Sequence, residues 1–433
     1  MTALLLLSLL SQSPAAARRI DVEEAERLAL AHSPALHAVA LRAEAVEDQS
    51  RSVRGRMLPS IVVSDEHQRY SEPFAIAFNL GVPGAPTPHL IGREVNTNTF
   101  VAAAQQPVLG LLHLWQDKVG LDDAAGAAHQ GEHITAEAIS EAVQTGYLRY
   151  FEARAAEGVA TTAIEQLEEQ RQVTAARVKA GAATNADVLR VEVAVANAKQ
   201  QLIVARAQEE MTYSALLLAM GFTARDADIE LVEPTALEGR EPPQVSEVDA
   251  QTSAAAVRPE VERARLEQRA AEHQATARLF ALLPEANLEA AYLHMTGQAF
   301  APPESWYVGV KASWPVWEWG ASWYQRQAAV RTAEAAAAGR EEQVRTVMLD
   351  ASTKLAAVRS AHAATVVAEA AITSAEEAWR VMQALVKAGA ATTTDLLDAQ
   401  AALTQAKLNL VRARSQQAVA LVGLKRALGR PPG

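Results

Sequence analysis

The chain says the same thing twice. The stretch Val178-Lys179-Ala180-Gly181-Ala182-Ala183-Thr184 returns as Val386-Lys387-Ala388-Gly389-Ala390-Ala391-Thr392, 208 positions later. The match continues without a gap to Gly221 and Gly429, with about 19 of 44 positions identical. A second anchor pairs Ser33-Pro34 with Arg258-Pro259 and Leu58-Pro59 with Leu283-Pro284, at an offset of 225. A third pairs Pro107-Val108 with Pro315-Val316, back at 208. The chain is therefore one duplicated unit, and the 17-residue difference between the offsets falls between Leu-Pro and Pro-Val. A long internal period dictates architecture before any local pattern does.

The anchors also measure the parts. Val108 to Ala180 reads as one helical stretch and Thr184 to Met220 as a second, about half as long. Val22 to Leu58 reads as two short helices, end to end. At 1.5 Å per residue the long stretch spans about 110 Å, far more than one domain core requires. In the second copy Leu396, Leu403, Leu410 and Leu424 fall on a seven-residue frame, and Ala399, Ala406, Ala413 and Ala420 follow each step by three. The first copy places Val188, Val195, Leu202 and Leu216 there, with Glu209 interrupting. Such a seam predicts close helix–helix packing. The expected partition is 18–221 for the first repeat, 222–253 for a Pro-, Glu- and Asp-rich linker, and 254–433 for the second repeat.

Composition narrows the function. There is no cysteine, so no disulfide, thiolate metal site or Cys nucleophile is available. Hydrophobic residues make up 49% of the chain but aromatics only 5%, Ala being the main apolar residue. No run of about 18 apolar residues occurs in the body of the chain, so no membrane-spanning helix is expected there. A formal charge of −11 argues against nucleic acid as a partner. Residues 1–17 read as a signal peptide: Leu4 to Leu10 is a short apolar core, and Ala15-Ala16-Ala17 makes a small-residue cleavage site. No basic residue precedes that core.

Between Leu-Pro and Pro-Val each unit stops being helical. From Ser305 to Trp314, one face is Trp306, Val308, Val310, Ala312 and Trp314, and the other Tyr307, Gly309, Lys311 and Ser313. Ten alternating residues match a membrane β-strand with an apolar outer face. Trp306, Trp314, Trp317 and Trp319 are placed to act as interface aromatics. In the first copy Ser60 to Tyr70 and Thr97 to Gln106 read as strands, although Asp65, Glu66 and His67 blur the alternation. Ser71 to Asn96 reads as a Pro/Gly-rich loop.

Each unit thus runs helix, strand, strand, helix, tight turn, helix. Two units supply four strands, which cannot close a barrel, and an open edge is not tolerated in lipid. Three chains supply twelve, an even number within the bacterial range. The expected fold is mainly α with a membrane β-barrel: a trimer forming a 12-stranded β-barrel continued by a long α-helical barrel.

This order of features resembles the TolC-like outer membrane efflux protein family. The resemblance is carried by the helical opening Val22 to Leu36, the Leu-Pro before each strand pair, and the Gly-x-x-Thr-x-x-Asp turn in both halves, from Ile20 to Gly429. It implies a homotrimeric duct in the outer membrane of a Gram-negative bacterium, with a large periplasmic part. The implied partners are outer membrane lipid, a periplasmic adaptor protein and, through it, an inner-membrane pump or ABC exporter. The linker and a C-terminal tail would form a belt around the α-cylinder. This chain ends at Pro431-Pro432-Gly433, so a small belt is expected.

The turns are the expected functional sites. Gly181 and Gly389 stand where a helix ends in the left-handed conformation. Thr184 and Thr392 precede the next helix, with Asp187 and Asp395 three residues on in a capping-box arrangement. A well-capped turn explains these residues by itself. The resemblance adds that Gly181, Ala182, Thr184, Gly389, Ala390 and Thr392 form docking tips for the adaptor. It also implies that Asp395 and Asp398, with Asp187 at the first turn, line the periplasmic constriction, where crowded carboxylates would favour cations and raise one another's pKa. The first copy has Arg190 in place of Asp398. Val386, Ala391 and Ala186 stand where some relatives carry a polar latch, so a closed state held by packing is expected.

No catalytic motif occurs, and neither an enzyme activity nor a cofactor is expected. His129 and His133, one helical turn apart, are the sole metal-like pair, without a third ligand. Two functions of different kinds remain: a passive export duct, serving either an efflux pump or type I secretion, and a periplasmic coiled-coil scaffold. The alternating Trp/Val strand favours the duct.

Overall fold

A computed structural model describes residues 18–78, 81, 87–222, 229–235 and 241–429. The expected signal peptide lies outside the described residues, as do the last four positions and parts of the first-copy loop and the linker. The described residues fall into two compact units, one drawn from within 18–39, 131–261 and 343–429, the other from within 40–130 and 262–342.

The first unit is built of helices. Short α1 (Val22–His32) begins at Asp21, whose carboxylate accepts the Glu24 N–H at 2.8 Å. Long α3 (Leu111–Lys179) enters this unit at Gly131 and turns into α4 (Asn185–Ala219). In the second copy α7 (Ala321–Lys387) turns into α8 (Thr393–Ala427). The heptad seam is realised as packing: Val191, Val195 and Ala198 of α4 close on Leu167 of α3, with Leu397 of α8 against them. Leu396, Leu403, Ala406, Ala413 and Leu424 of α8 are all buried. One change from expectation concerns α7, which is long and apolar enough by composition to cross a membrane. Its apolarity comes largely from Ala, and it buries Val347, Ala351, Leu355 and Val358 against α8 and α5 (Glu247–Val257).

The linker is more ordered than its composition indicates. Strand β1 (Arg18–Ile20) pairs in parallel with β5 (Ile229–Leu231), and α5 begins within the segment expected to be loop. The ribbon is pinned by Tyr147 of α3. Its hydroxyl lies 2.8 Å from the Ile20 carbonyl and 2.6 Å from that of Val232, so one proton serves two acceptors. Tyr147 is fully buried among Ile20, Ala25, Ala29, Phe151, Leu216 and Met220.

The second unit holds the sheet together with α2 (Pro34–Arg56) from Ala40 onward and α6 (Pro259–Phe280) from Glu262 onward. Strands β2 (Ser60–Arg69), β4 (His89–Pro107), β6 (Glu285–Gln298) and β7 (Glu304–Ser313) are antiparallel in the order β2-β4-β6-β7. A fifth strand, β3 (Phe74–Ala77), pairs with the outer part of β4. This corrects the expected Ser71–Asn96 loop. The 17 extra residues extend β4 back to His89 and give it a partner, because Phe74, Ile76, Leu90 and Ile91 favour a strand over a polar loop. The register shifts between Arg93 and Asn98, where β4 leaves its regular pairing with β6. At this level Gly297 has φ +80°, and an added Cβ would stand 2.3 Å from the Asn96 carbonyl oxygen.

Candidate functional site

Two regions carry the functional residues: the paired turns of the first unit and the strand band of the second.

Both turns close the same way. Gly181 has φ +72° and Gly389 φ +77°. The Gly181 N–H donates to Val178 O at 3.0 Å, and Ala182 N–H reaches back to Arg177 O at 2.8 Å. Gly389 N–H bonds Val386 O at 3.2 Å and Ala390 N–H bonds Leu385 O at 2.9 Å. This pair of bonds satisfies carbonyls that a helix C-terminus otherwise leaves open. No atom lies within 4 Å of a Cβ added at either glycine, so backbone geometry, not space, demands glycine there.

The next helix is capped by an acid. Asp395 Oδ2 accepts the Thr392 backbone N–H at 2.8 Å and the Thr392 hydroxyl at 2.7 Å, while Thr392 Oγ1 accepts the Asp395 N–H at 3.2 Å. Asp187 accepts the Thr184 N–H at 2.9 Å and its hydroxyl at 2.7 Å. The Thr392 hydroxyl, then its backbone N–H, hold Asp395 below the usual carboxylate range. The backbone N–H of Thr184, then its hydroxyl, do the same for Asp187. Within one chain hydrogen bonds to the charged form dominate at Asp395; the expected upward shift concerns carboxylates crowded together from three chains. Asp398 is exposed one turn further along the same helix.

The sequence reading missed the contact that joins the two turns. Arg190 Nη1 donates to Thr394 Oγ1 at 3.2 Å and lies 3.6 Å from Asp187 Oδ1. A polar link therefore joins the two turns within one chain. Its visible signals were the two differences between the copies at its ends, Arg190 against Asp398 and Thr394 against Ala186.

In the strand band, register decides which side chains share a face. One row runs Ile61, Ala104, Ala290, Val308; the next runs Val63, Ala102, Tyr292, Trp306. The row after that is Asp65, Phe100, His294 and Glu304. Asp65 thus marks where an apolar face ends, which explains the blurred alternation in the first copy. Ile61, Val63, Trp306, Val308 and Val310 are all more than half exposed. The opposite face carries Ser64, Glu66, Glu289, Tyr307 and Lys311, and Tyr307 donates to Glu289 at 2.9 Å. Trp314, Trp317 and Trp319 lie past the end of β7, in the link to α7, so Trp314 is not a strand residue as expected. Trp317 and Trp319 meet edge to face at 5.5 Å, and the Trp314 indole N–H donates to Leu282 O.

Among the described residues no group of three or more His, Cys, Asp and Glu is placed to hold a metal. His129 faces Glu47 at 2.8 Å.

These features belong to a membrane channel protein, and comparison with known proteins agrees. The sequence matches the outer membrane efflux protein family over residues 26–222 and 251–430, and the chain belongs to that family. It is an outer-membrane export duct. No curated protein matches it at the level of sequence. Among solved structures it resembles CusC, which is described as forming a transmembrane channel, at 15% identity and TM-score 0.81 over 94% of this chain and 92% of that one. It also resembles the outer membrane protein VceC of Vibrio cholerae (16% identity, TM-score 0.77, 94% and 96%). A third is the CmeC outer membrane channel of Campylobacter jejuni (13% identity, TM-score 0.80, 94% and 85%). At these identities the likeness concerns the fold.

Proposed function

We propose that three copies of this chain close into one barrel and one helical tube, and that the paired turns form its periplasmic mouth. The observation that carries this reading is the pair of free strands at the two sides of the sheet. Both β2 and β7 have a partner on one side alone, and exposed main-chain edges cannot persist in lipid. Pairing β7 of one copy with β2 of the next removes both of these edges. Four strands from each of three copies give twelve.

The helices carry the same incompleteness. α3 packs on α8 through Glu152–Ser415 and Gln166–Gln400, and both α4 and α7 keep apolar faces open. α4 exposes Leu189, Val193, Ile203, Met211 and Leu218, and α7 exposes Leu349, Val366 and Val367. Each stripe supplies apolar area for a neighbouring copy.

The aromatic residues fall at two levels. Trp306 ends the apolar rows at one side, and Trp314, Trp317 and Trp319 follow the strand at the other. Eight residues at about 3.4 Å each separate Trp306 from Trp314, which matches the roughly 25 Å apolar band of an outer-membrane barrel. The tips bearing Gly181, Ala182, Thr184, Gly389, Ala390 and Thr392 dock a periplasmic adaptor. Asp395, Asp398 and Asp187 set the charge of the mouth, and the duct carries cargo without covalent chemistry. Purified protein in planar bilayers tests the reading. Discrete, long-lived conductance steps support it, and a protein that fractionates with the membrane yet never conducts contradicts it.

A further inference from the structure

Where α5 ends and α6 begins, the first unit gathers a set of charges that the duct does not explain. Arg258, the C-terminal cap of α5, is only 7% exposed. It donates to Glu260 of α6 at 2.5 Å and to Asp350 of α7 at 2.8 Å. Arg426 of α8 donates to Glu141 of α3 at 2.5 Å, and Lys354 of α7 lies 3.6 Å from the other Glu141 oxygen. Three cations thereby meet three carboxylates. Glu137 of α3 is the fourth carboxylate. Its Oε2 is buried with no hydrogen-bond partner among the described residues, 4.0 Å from Arg426 Nε, a buried N–H likewise without one. Glu260 adds a second negative charge, 3.9 Å from the same guanidinium.

We propose that Glu137 is the proton-accepting residue of this joint, and that the joint between α3, α6 and α8 tightens when Glu137 takes up a proton. Glu137 keeps about a third of its side chain exposed, but the oxygen that faces Arg426 is buried without a hydrogen bond, and desolvation of that oxygen is not repaid. Protonation converts it to a hydroxyl donor and brings the joint from one surplus negative charge to none. Burial, then the charge of Glu260, push Glu137 above the usual carboxylate range, while Arg426, Arg258 and His133 pull it back. Glu260 itself is held low: burial pushes it up, but the Arg258 hydrogen bond and charge outweigh that. A carboxylate raised on folding contributes stability that is complete below its ordinary pKa and is lost as pH rises through the folded value. The joint is therefore tightest on the acidic side. At the corresponding positions of the other half stand Ser33, Ala35, Ala142, Gly146 and Leu218. The device occurs at one of the two quasi-equivalent joints.

The test is thermal unfolding of the full chain in detergent, followed by circular dichroism, for wild type, Glu137→Gln and His133→Gln between about pH 5 and 8. Gln copies the protonated form, so Glu137→Gln should melt above wild type at pH 8 by roughly 2 °C, and the difference should shrink as the pH falls. His133→Gln should keep the wild-type slope. A pH-independent difference, a lower melting point for Glu137→Gln at pH 8, or loss of the slope in His133→Gln alone would each overturn the proposal. Hydrogen exchange at the start of α6 gives a local readout if another region limits melting. Protection there that falls with rising pH equally in wild type and Glu137→Gln would also refute it.

Discussion

Arg190 of α4 reaches across to Thr394 of α8 at 3.2 Å and so ties one helical turn to the other. The position equivalent to Arg190 in the second copy is Asp398. The two turns are alike in backbone, and the contact uses two positions at which the copies differ, Arg190 against Asp398 and Thr394 against Ala186. Replacing Arg190 by Ala removes the tie. An exposed contact of this kind contributes about 0.2–1 kcal/mol, so folding and yield should not change. If the tie narrows the mouth, single-channel conductance should rise. Conductance identical to wild type would assign Arg190 to surface solvation.

Asp395 and Asp398 separate two roles that the sequence could not. Asp395 spends one oxygen on the Thr392 cap, whereas Asp398 is exposed beyond the cap. Asp398→Ala should weaken block by multivalent cations without loosening the turn. The double Asp395→Ala, Asp398→Ala change should weaken block further and also fray the turn, because the Thr392 N–H loses its acceptor. Block that survives the double change would remove both residues from the mouth.

The caps also fix a pH dependence. Asp187 and Asp395 are held low, so their contribution is present above the ordinary Asp value, about 3.9. It is lost as pH falls through the lower folded value. Backbone amides of Thr184 and Thr392 should stay protected from hydrogen exchange at pH 5 and lose protection only well below pH 4. Loss of protection already near pH 5 would contradict the cap geometry.

Gly181 and Gly389 test the tips as a docking surface. Left-handed geometry costs a bulky residue roughly 1–2 kcal/mol, and nothing within 4 Å opposes a side chain there. Gly181→Leu or Gly389→Leu should leave barrel insertion and assembly intact while abolishing transport in cells. Normal drug susceptibility or secretion in both variants would reduce the tips to ordinary helix turns.

Much of this molecule was legible before its structure, for identifiable reasons. The duplicated Val-Lys-Ala-Gly-Ala-Ala-Thr encodes a backbone need, so its turns follow from local rules. The Trp306–Val308–Val310 alternation encodes a face. What escaped was non-local. Tyr147 looks like one more aromatic on a helix, and only the fold brings Ile20 and Val232 to its hydroxyl. Arg258, Glu260, Asp350 and Arg426 lie up to 168 positions apart in sequence and read as solvated surface charges. The β3 hairpin was hidden because Pro and Gly around it outweighed Phe74, Ile76, Leu90 and Ile91 in the reading.

The central claim is that a single chain is incomplete at both sides of its sheet, with β2 and β7 each lacking a neighbour. The most direct measurement is the mass of the folded, detergent-solubilised protein by multi-angle light scattering, with the detergent contribution subtracted. The account predicts a monodisperse particle of three chains, each 46.3 kDa. A monodisperse, folded monomer with intact strand signal would contradict it.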